Sequence, residues 1–303
     1  MPPVAPPALS DETPACLCVL ASGSSGNCSV LLRRSDRGVR ASIIDAGLSP
    51  RRIRRLLAEH DIPLRIVDDV LLTHLDSDHF HPGWLRELDR DVGDLRASLR
   101  VHRNHTKRLA ALGPAPRRLE VFDDRIELPG ASVSASLLSH DQLGVATFRF
   151  EFDAARPTSL GFATDLGRPT DDLVVHLHAV STLAIESNYC PVMQRESPRP
   201  GFLKARIMGG AGHLSNEQCA ATIRRIAPRN RVVLLHLSRQ CNTPELAASG
   251  HAEAPYELTI SDQFSPTGWL PISAPREGTP PPPPVRRVET LPLFSAPARS
   301  QAP

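Results

Sequence analysis

Lysine is nearly missing from this chain. Of 303 residues only Lys107 and Lys204 are lysines, and the other 33 basic residues are arginines. Codon usage in a GC-rich genome accounts for such a bias; phosphate contact by planar guanidinium groups is the functional alternative. Charge of one sign is also lacking. A formal net charge of +2 withholds the footprint of a protein that coats nucleic acid. A local patch such as "RRIRR" at 51–55 remains, and its plain reading is the solvated face of a helix. There is no run of the roughly 20 apolar residues that a membrane span needs, and no basic segment leads into an apolar one at the start. A cytoplasmic protein with no membrane partner is the expectation. Six cysteines are present, Cys16, Cys18, Cys28, Cys190, Cys219 and Cys241, but no C-x-x-C pair. Cys16 and Cys18 stand too close for a zinc knuckle; alternate strand positions face one way, so both are expected in the core as free thiols of a reducing compartment.

Proline, by contrast, is abundant, with 30 residues crowded toward the two ends. Residues 1–14 and 273–303 lack periodic apolar positions and read as disordered or polyproline-II tails. The C-terminal one carries "EGTPPPPPVRR", a segment able to dock in a protein groove but more simply a solvated appendage. The body, 15–272, reads as one large domain, and 41% hydrophobic content is enough for a large core.

Short runs rich in Val, Ile and Leu alternate with amphipathic segments along that body. "CLCVLA", "CSVLLR", "RASIIDAG" and "VDDVLLTH" are strand-like, as are "RLEVF", "RIELPG", "SVSASLLSH", "VATFRFEFD", "SLGFATDLG", "STLAIESN" and "RVVLLHLS". Helices are predicted at 49–60, 83–91, 104–112, near 170–178, at 215–227 and at 243–249. Ser49 followed by Pro50, the Ser215/Gln218 capping box and Thr243 followed by Pro244 mark three of their starts. The segment 257–272 supplies the last strands. Two β-rich halves with outer helices predict an α/β (α+β) protein built as a four-layer αββα sandwich.

Ligand-type residues stand where these strands end. "THLDSDH" (73–79) offers His74, Asp76, Asp78 and His79; His140, Asp165 and His236 each close a later strand. Imidazole with carboxylate suits Zn²⁺, Mn²⁺ or Fe²⁺. A lone histidine at a strand end is ordinarily structural; four strand ends carrying ligands in series are harder to produce by accident.

The order T-H-x-x-x-D-H, H, D, H resembles the metallo-β-lactamase fold. "LASGSSGN", "IIDAG", "SHD", "GFATDLG", "ESN", "GHLSNE" and "LLHLSRQCNTPELA" narrow the resemblance to its YycJ/WalJ-type branch, over about 17–271. The resemblance implies two divalent metal ions about 3.5–4 Å apart with a hydroxide between them as nucleophile. It implies His74, Asp76 and His140 on one ion, Asp78, His79 and His236 on the other, and Asp165 bridging. Asp78 and His213 are the implied catalytic residues, His213 contacting the scissile phosphate or protonating the leaving oxygen. Ser24, Ser25, Asn27, Asp45, Ser215, Asn216 and Ser238 are candidates to line the cleft or brace the ligands, with Asn242 beside them.

This chain departs from the branch twice. Asp76 stands where histidine is usual, which adds negative charge and favours a harder metal such as Mn²⁺; it is either a ligand or a neighbour, with His81 a substitute donor or a surface residue. Tyr189 and Cys190 follow "ESN" in place of His-Asp. The resemblance implies a phosphodiesterase or nuclease, exonuclease-like toward DNA, with nucleic acid or another phosphodiester as partner. The alternative is a small-molecule hydrolase of a cyclic phosphate, lactone or thioester on the same site.

Overall fold

The computed structural model describes residues 5–89, 95–138 and 142–275. In chain order the first half comprises β1 (Ala15–Ala21), β2 (Cys28–Ser35), β3 (Gly38–Ile44), α1 (Pro50–Glu59), β4 (Val67–Leu71), α2 (Gly83–Asp89), β5 (Ser98–His102), α3 (Thr106–Leu112) and β6 (Leu119–Phe122). The second comprises β7 (Arg125–Leu128), β8 (Ala131–Leu138), β9 (Val145–Phe152), β10 (Ser159–Ala163), α4 (Asp171–Leu177), β11 (Thr182–Glu186), α5 (Pro191–Glu196), α6 (Gly201–Met208), α7 (Asn216–Ile226), β12 (Arg231–Leu235), α8 (Pro244–Ala248), β13 (Glu257–Ile260) and β14 (Leu270–Ile272). One sheet runs β14-β1-β2-β3-β4-β5-β6 and the other β13-β12-β11-β10-β9-β8-β7.

The period-2 pattern of β1 shows how the layers form. Ala15, Leu17 and Val19 join Leu31, Ile44 and Leu71 against Phe148, Phe150, Phe162 and Val233 of the other sheet. Cys16, Cys18 and Leu20 face the opposite way, packing with Ile53, Leu57, Trp84 and Leu109 from the helices. Across the second sheet, Leu183, Ile185, Val232 and Leu234 meet α4 and α7 through Leu173, Leu177, Cys219 and Ile223. The result is helix, sheet, sheet, helix, as expected. The six cysteines are free, and burial pushes the Cys16, Cys18 and Cys219 thiols up to about 12.

Local chemistry sets the helix starts. The Ser49 hydroxyl accepts from Arg52 N ahead of Pro50, Thr243 caps α8, and Ser215 and Gln218 form both bonds of a capping box. The arginines of 51–55 lie on the outer face of α1; Arg54 pairs with Glu87 at 2.8 Å and Arg55 with Glu59 at 3.4 Å. Among the described residues no helix is long and apolar enough to cross a membrane.

Three features differ from the expectation. Helices α5 and α6 were not foreseen; they carry Met193, Leu203 and Ile207, which pack with Tyr189 and Cys241 in a small apolar cluster. The two last strands part company: β13 extends the second sheet, whereas β14 crosses back to pair with β1. The contacts of the body also reach past 15 and 272. Leu9 packs on the first core, and Ser273 O, Ala274 O and Pro275 O accept bonds from Asn230 and Arg156. Residues 1–4 and 276–303, which include the proline run, lie outside the described residues.

Candidate metal centre

Strands β3 and β4 run parallel, and so do β10, β11, β12 and β13. Their C-terminal ends therefore gather at one edge of the sandwich. Asp45 follows β3, the 73–79 loop follows β4, Asp165 follows β10, Glu186 ends β11 and His236 follows β12. Three of these residues adopt left-handed backbone: Asp45 (φ 59°), Asp165 (φ 51°) and His236 (φ 57°). That conformation costs a non-glycine residue about 1–2 kcal/mol, and here it turns each side chain inward at the point where its strand stops.

The 73–79 loop is held on both sides. Asn27 N donates to Asp78 O at 2.7 Å, and Ala46 N to His79 O at 2.8 Å. Gly47 sits so close that a Cβ there would lie 1.8 Å from Asp78 O. Asp45 Oδ1 accepts from Thr73 N and Thr73 Oγ1, both at 2.9 Å, and its Oδ2 lies 2.8 Å from His79 Nδ1. This sets His79 so that Nε2 faces inward, 3.2 Å from Asp165 and 3.7 Å from Asp78. Asn27, expected in the cleft, reaches that same Nε2 at 3.0 Å and Asp78 O at 3.1 Å.

Asp165 stands at the middle. Oδ2 faces His74 Nε2 at 3.5 Å and His79 Nε2 at 3.2 Å, while Oδ1 lies 2.9 Å from His236 Nδ1. His236 Nε2 is 3.3 Å from Asp78. Ligand atoms of Asp78, His79, Asp165 and His236 all lie within 4.8 Å of one another. A second such group joins Asp165 and His236 to Glu186 and His213.

Burial alone pushes the His79 and His236 imidazoles down. The carboxylates of Asp165 and Asp45 at His79, and of Asp165, Asp78 and Glu186 at His236, outweigh it and hold both well above the usual histidine range. Burial likewise pushes Asp165 up, but His236, His79 and His74 hold it well below the usual carboxylate range. The centre is thus a negative pocket that favours cations. Its donor set, imidazole nitrogens interleaved with carboxylate oxygens and braced from behind by Asp45, fits a divalent metal ion.

Sequence reasoning passed over several residues. Glu186 is fully buried; Oε1 lies 2.6 Å from His213 Nδ1, and Oε2 accepts from Leu166 N and Leu214 N. It closes a strand, as the ligands do, and that was the available signal. Ser22 is the serine of "SGSSGN" at the site: Oγ accepts from His236 N at 2.8 Å. Ser24 and Ser25 of the same turn are exposed, and among the described residues no bond ties either hydroxyl to the cluster. Asp76 Oδ1 is paired with Arg108 of α3 at 2.7 Å, and its Oδ2 lies 3.8 Å from His74 Nε2. His81 is exposed and accepts from Gly83 N at the start of α2, away from the cluster. Asn216 is bonded to Ser187 and Asn242, Ser215 is occupied as a helix cap, and Ser238 accepts from Arg199. Tyr189, Cys190 and Cys241 stay outside: Tyr189 and Cys241 pack under α5 and α6, and Cys190 opens α5. His140 lies outside the described residues.

The sequence pattern of the β-lactamase superfamily domain matches residues 40–237, which hold the whole strand-end series. The chain belongs to that superfamily. It is 32% identical over 234 residues to the exodeoxyribonuclease WalJ of Streptococcus pneumoniae, covering 76% of this chain and 84% of that protein. The exodeoxyribonuclease YycJ of Bacillus anthracis is 27% identical over 232 residues, with the same coverage. Among solved structures, the metallo-β-lactamase fold protein YhfI of Bacillus subtilis matches with a TM-score of 0.62 at 13% identity, over 84% of this chain and 99% of that one. This superfamily member has the metallo-β-lactamase fold and is a hydrolase, and the fold implies a divalent metal at the centre described above.

Proposed function

We propose that the chain is a metal-dependent phosphodiesterase that removes nucleotides from DNA ends. The observation that carries this reading is the convergence of Asp78, His79, Asp165 and His236 within 4.8 Å, with the Glu186–His213 pair at its edge. The exodeoxyribonuclease names of the relatives at 32% and 27% identity support the choice of DNA.

In this reading His74, Asp76 and His140 would hold one divalent ion, Asp78, His79 and His236 would hold a second, and Asp165 would serve both. Divalent ions bound there supply Lewis acidity toward a phosphoryl oxygen and a nucleophile at neutral pH. The protein's own contribution is geometric. Asp45 and Thr73 fix the ring orientations of His79 and His74, the latter through a 3.0 Å contact of Thr73 Oγ1 with His74 Nδ1. Glu186, its other oxygen occupied by two backbone N–H groups, orients the half-buried His213 through Nδ1, and His213 is the residue assigned to exchange a proton with the leaving oxygen. That role makes His213 a proton carrier and Glu186 its positioning residue. Ser24 and Ser25 remain candidates for contact with substrate beyond the cluster.

The test is an activity screen on protein stripped with chelator and reloaded with Mn²⁺ or Zn²⁺. Substrates are end-labelled duplex and single-stranded DNA, RNA, bis-p-nitrophenyl phosphate and a lactone. Stepwise shortening of DNA that disappears on stripping and returns on reloading is the expected result. Hydrolysis of the lactone with no phosphodiester cleaved would overturn the nuclease reading in favour of a small-molecule hydrolase. Uptake of less than about one ion per chain would overturn the metal-dependent reading altogether.

A further inference from the structure

A pocket of about 260 Å³ opens beside the metal centre, walled in part by Ser22, Ser238, Arg239, Gln263 and Phe264. It shares a wall with the centre: Ser22 Oγ holds the backbone N–H of His236, and residues 237–239 continue directly from that ligand. Because β13 runs parallel to β12, the loop after β13 that carries Phe264 emerges at the same edge as His236.

Phe264 is 57% exposed, yet its loop is firmly fastened. Asp262 Oδ1 accepts from Phe264 N and Ser265 N, both at 2.8 Å. The Gln263 side chain bridges to the 22–27 loop, donating to Gly26 O at 2.9 Å and accepting from Ser25 N at 2.8 Å. A bare aromatic ring is thereby presented on a rigid support instead of collapsing onto the core. The Arg239 guanidinium lies over the ring, 5.0 Å from its centroid. Behind Ser238, Arg199 is held by three neutral oxygens, Ser238 Oγ, Gln194 Oε1 and Gln240 Oε1 at 3.1–3.3 Å. Neither Arg199 nor Arg239 has a carboxylate within ion-pair distance among the described residues, whereas Arg33, Arg100 and Arg108 do. The positive charge at this pocket is left for a ligand.

From these features we infer that the pocket is a nucleotide subsite for one unpaired deoxynucleotide of the strand being cut. The base stacks on the open side of Phe264, and Arg239, with Arg199 behind, draws the adjoining phosphate. Stacking on an aromatic platform beside a basic rim is how single strands are held without sequence preference. At about 260 Å³ the pocket has room for a single nucleotide. The Asp262 carboxylate also borders the pocket, but its Oδ1 is occupied by the two backbone donors that shape the loop.

This inference rests on the nuclease reading, and the experiment separates the two. Steady-state cleavage of a single-stranded oligodeoxynucleotide and of bis-p-nitrophenyl phosphate is compared for the full-length, metal-loaded wild type, Phe264→Ala, Phe264→Trp and Arg239→Ala. Phe264→Ala is expected to raise KM for the oligonucleotide about tenfold, the loss of one stacked base, and to lower the ratio of DNA to small-ester turnover accordingly. Phe264→Trp restores the wild-type KM. Arg239→Ala flattens the dependence of log KM on log salt by about 0.7, one phosphate contact on a single strand. An unchanged DNA-to-ester ratio in Phe264→Ala, or a Trp variant as impaired as the Ala variant, overturns the subsite while leaving the nuclease reading intact. A wild type that cleaves the small ester but no DNA overturns both.

Discussion

Asp76 and Arg108 act as one unit. An aspartate in the histidine position would burden the centre with an extra negative charge, but Arg108 at 2.7 Å offsets it and turns the second carboxylate oxygen toward His74. Partners that hold a ligand from behind typically change metal affinity by roughly 10–100-fold when removed. Arg108→Ala is therefore expected to weaken Zn²⁺ binding by about that factor in a chelator-competition titration; unchanged affinity would mean that Asp76 does not serve the metal. Asp76→His should keep or raise Zn²⁺-supported phosphodiester hydrolysis, since an imidazole needs no guanidinium beside it, and an inactive variant would show that the carboxylate itself is required. Asp165 touches three histidines, so Asp165→Ala should abolish turnover and lower the metal count per chain measured by elemental analysis. Retained turnover would remove Asp165 from the bridging role.

Elements matter here mainly for where they stop. A parallel strand delivers its last residue to one edge, and left-handed backbone at Asp45, Asp165 and His236 finishes the turn. The loop after β3 and the loop after β4 are pressed together at Gly47, where any side chain would run into the Asp78 carbonyl. Gly47→Ala should cost about 3 kcal/mol, the upper end of ordinary overpacking. Urea denaturation reads the stability, and metal affinity should fall with it because Asp78 and His79 share the displaced loop. A variant of wild-type stability would mean that the two loops separate freely.

The whole molecule depends on a few contacts between its sheets as well as on the shared apolar layer. Arg33 of β2, fully buried, donates to Pro129 O in the turn between β7 and β8, to Ser42 Oγ at 2.6 Å and to Asp69 at 3.1 Å. Arg33→Ala leaves a buried Asp69 carboxylate short of a partner and is expected to cost about 3 kcal/mol in equilibrium unfolding. A loss near zero would show that Arg100, 2.5 Å from Asp69 on its other oxygen, suffices. At the C-terminal end, bonds to Ser273, Ala274 and Pro275 place the useful cut after 275. Deleting 276–303 should leave hydrolysis and thermal midpoint as they are, while a cut before Leu270 removes β14 from the edge of β1 and should lower the midpoint.

Period-2 patterns, helix caps and the series of ligand-type residues at strand ends were legible along the chain, because each depends on neighbours a few positions away. They suffice for the αββα layering and the superfamily, and they point to the strand ends where Asp78, His79, Asp165 and His236 converge; His140 lies outside the described residues. The partners of those ligands were not legible. Arg108 meets Asp76 across 32 positions, Glu186 meets His213 across 27, Ser22 meets His236 across 214, and β14 pairs with β1 from the far end of the body. No local periodicity encodes such meetings. They are decided by how two sheets stack and which loop each strand end faces, and that is also what puts Ser22 rather than Ser24 or Ser25 at the metal centre.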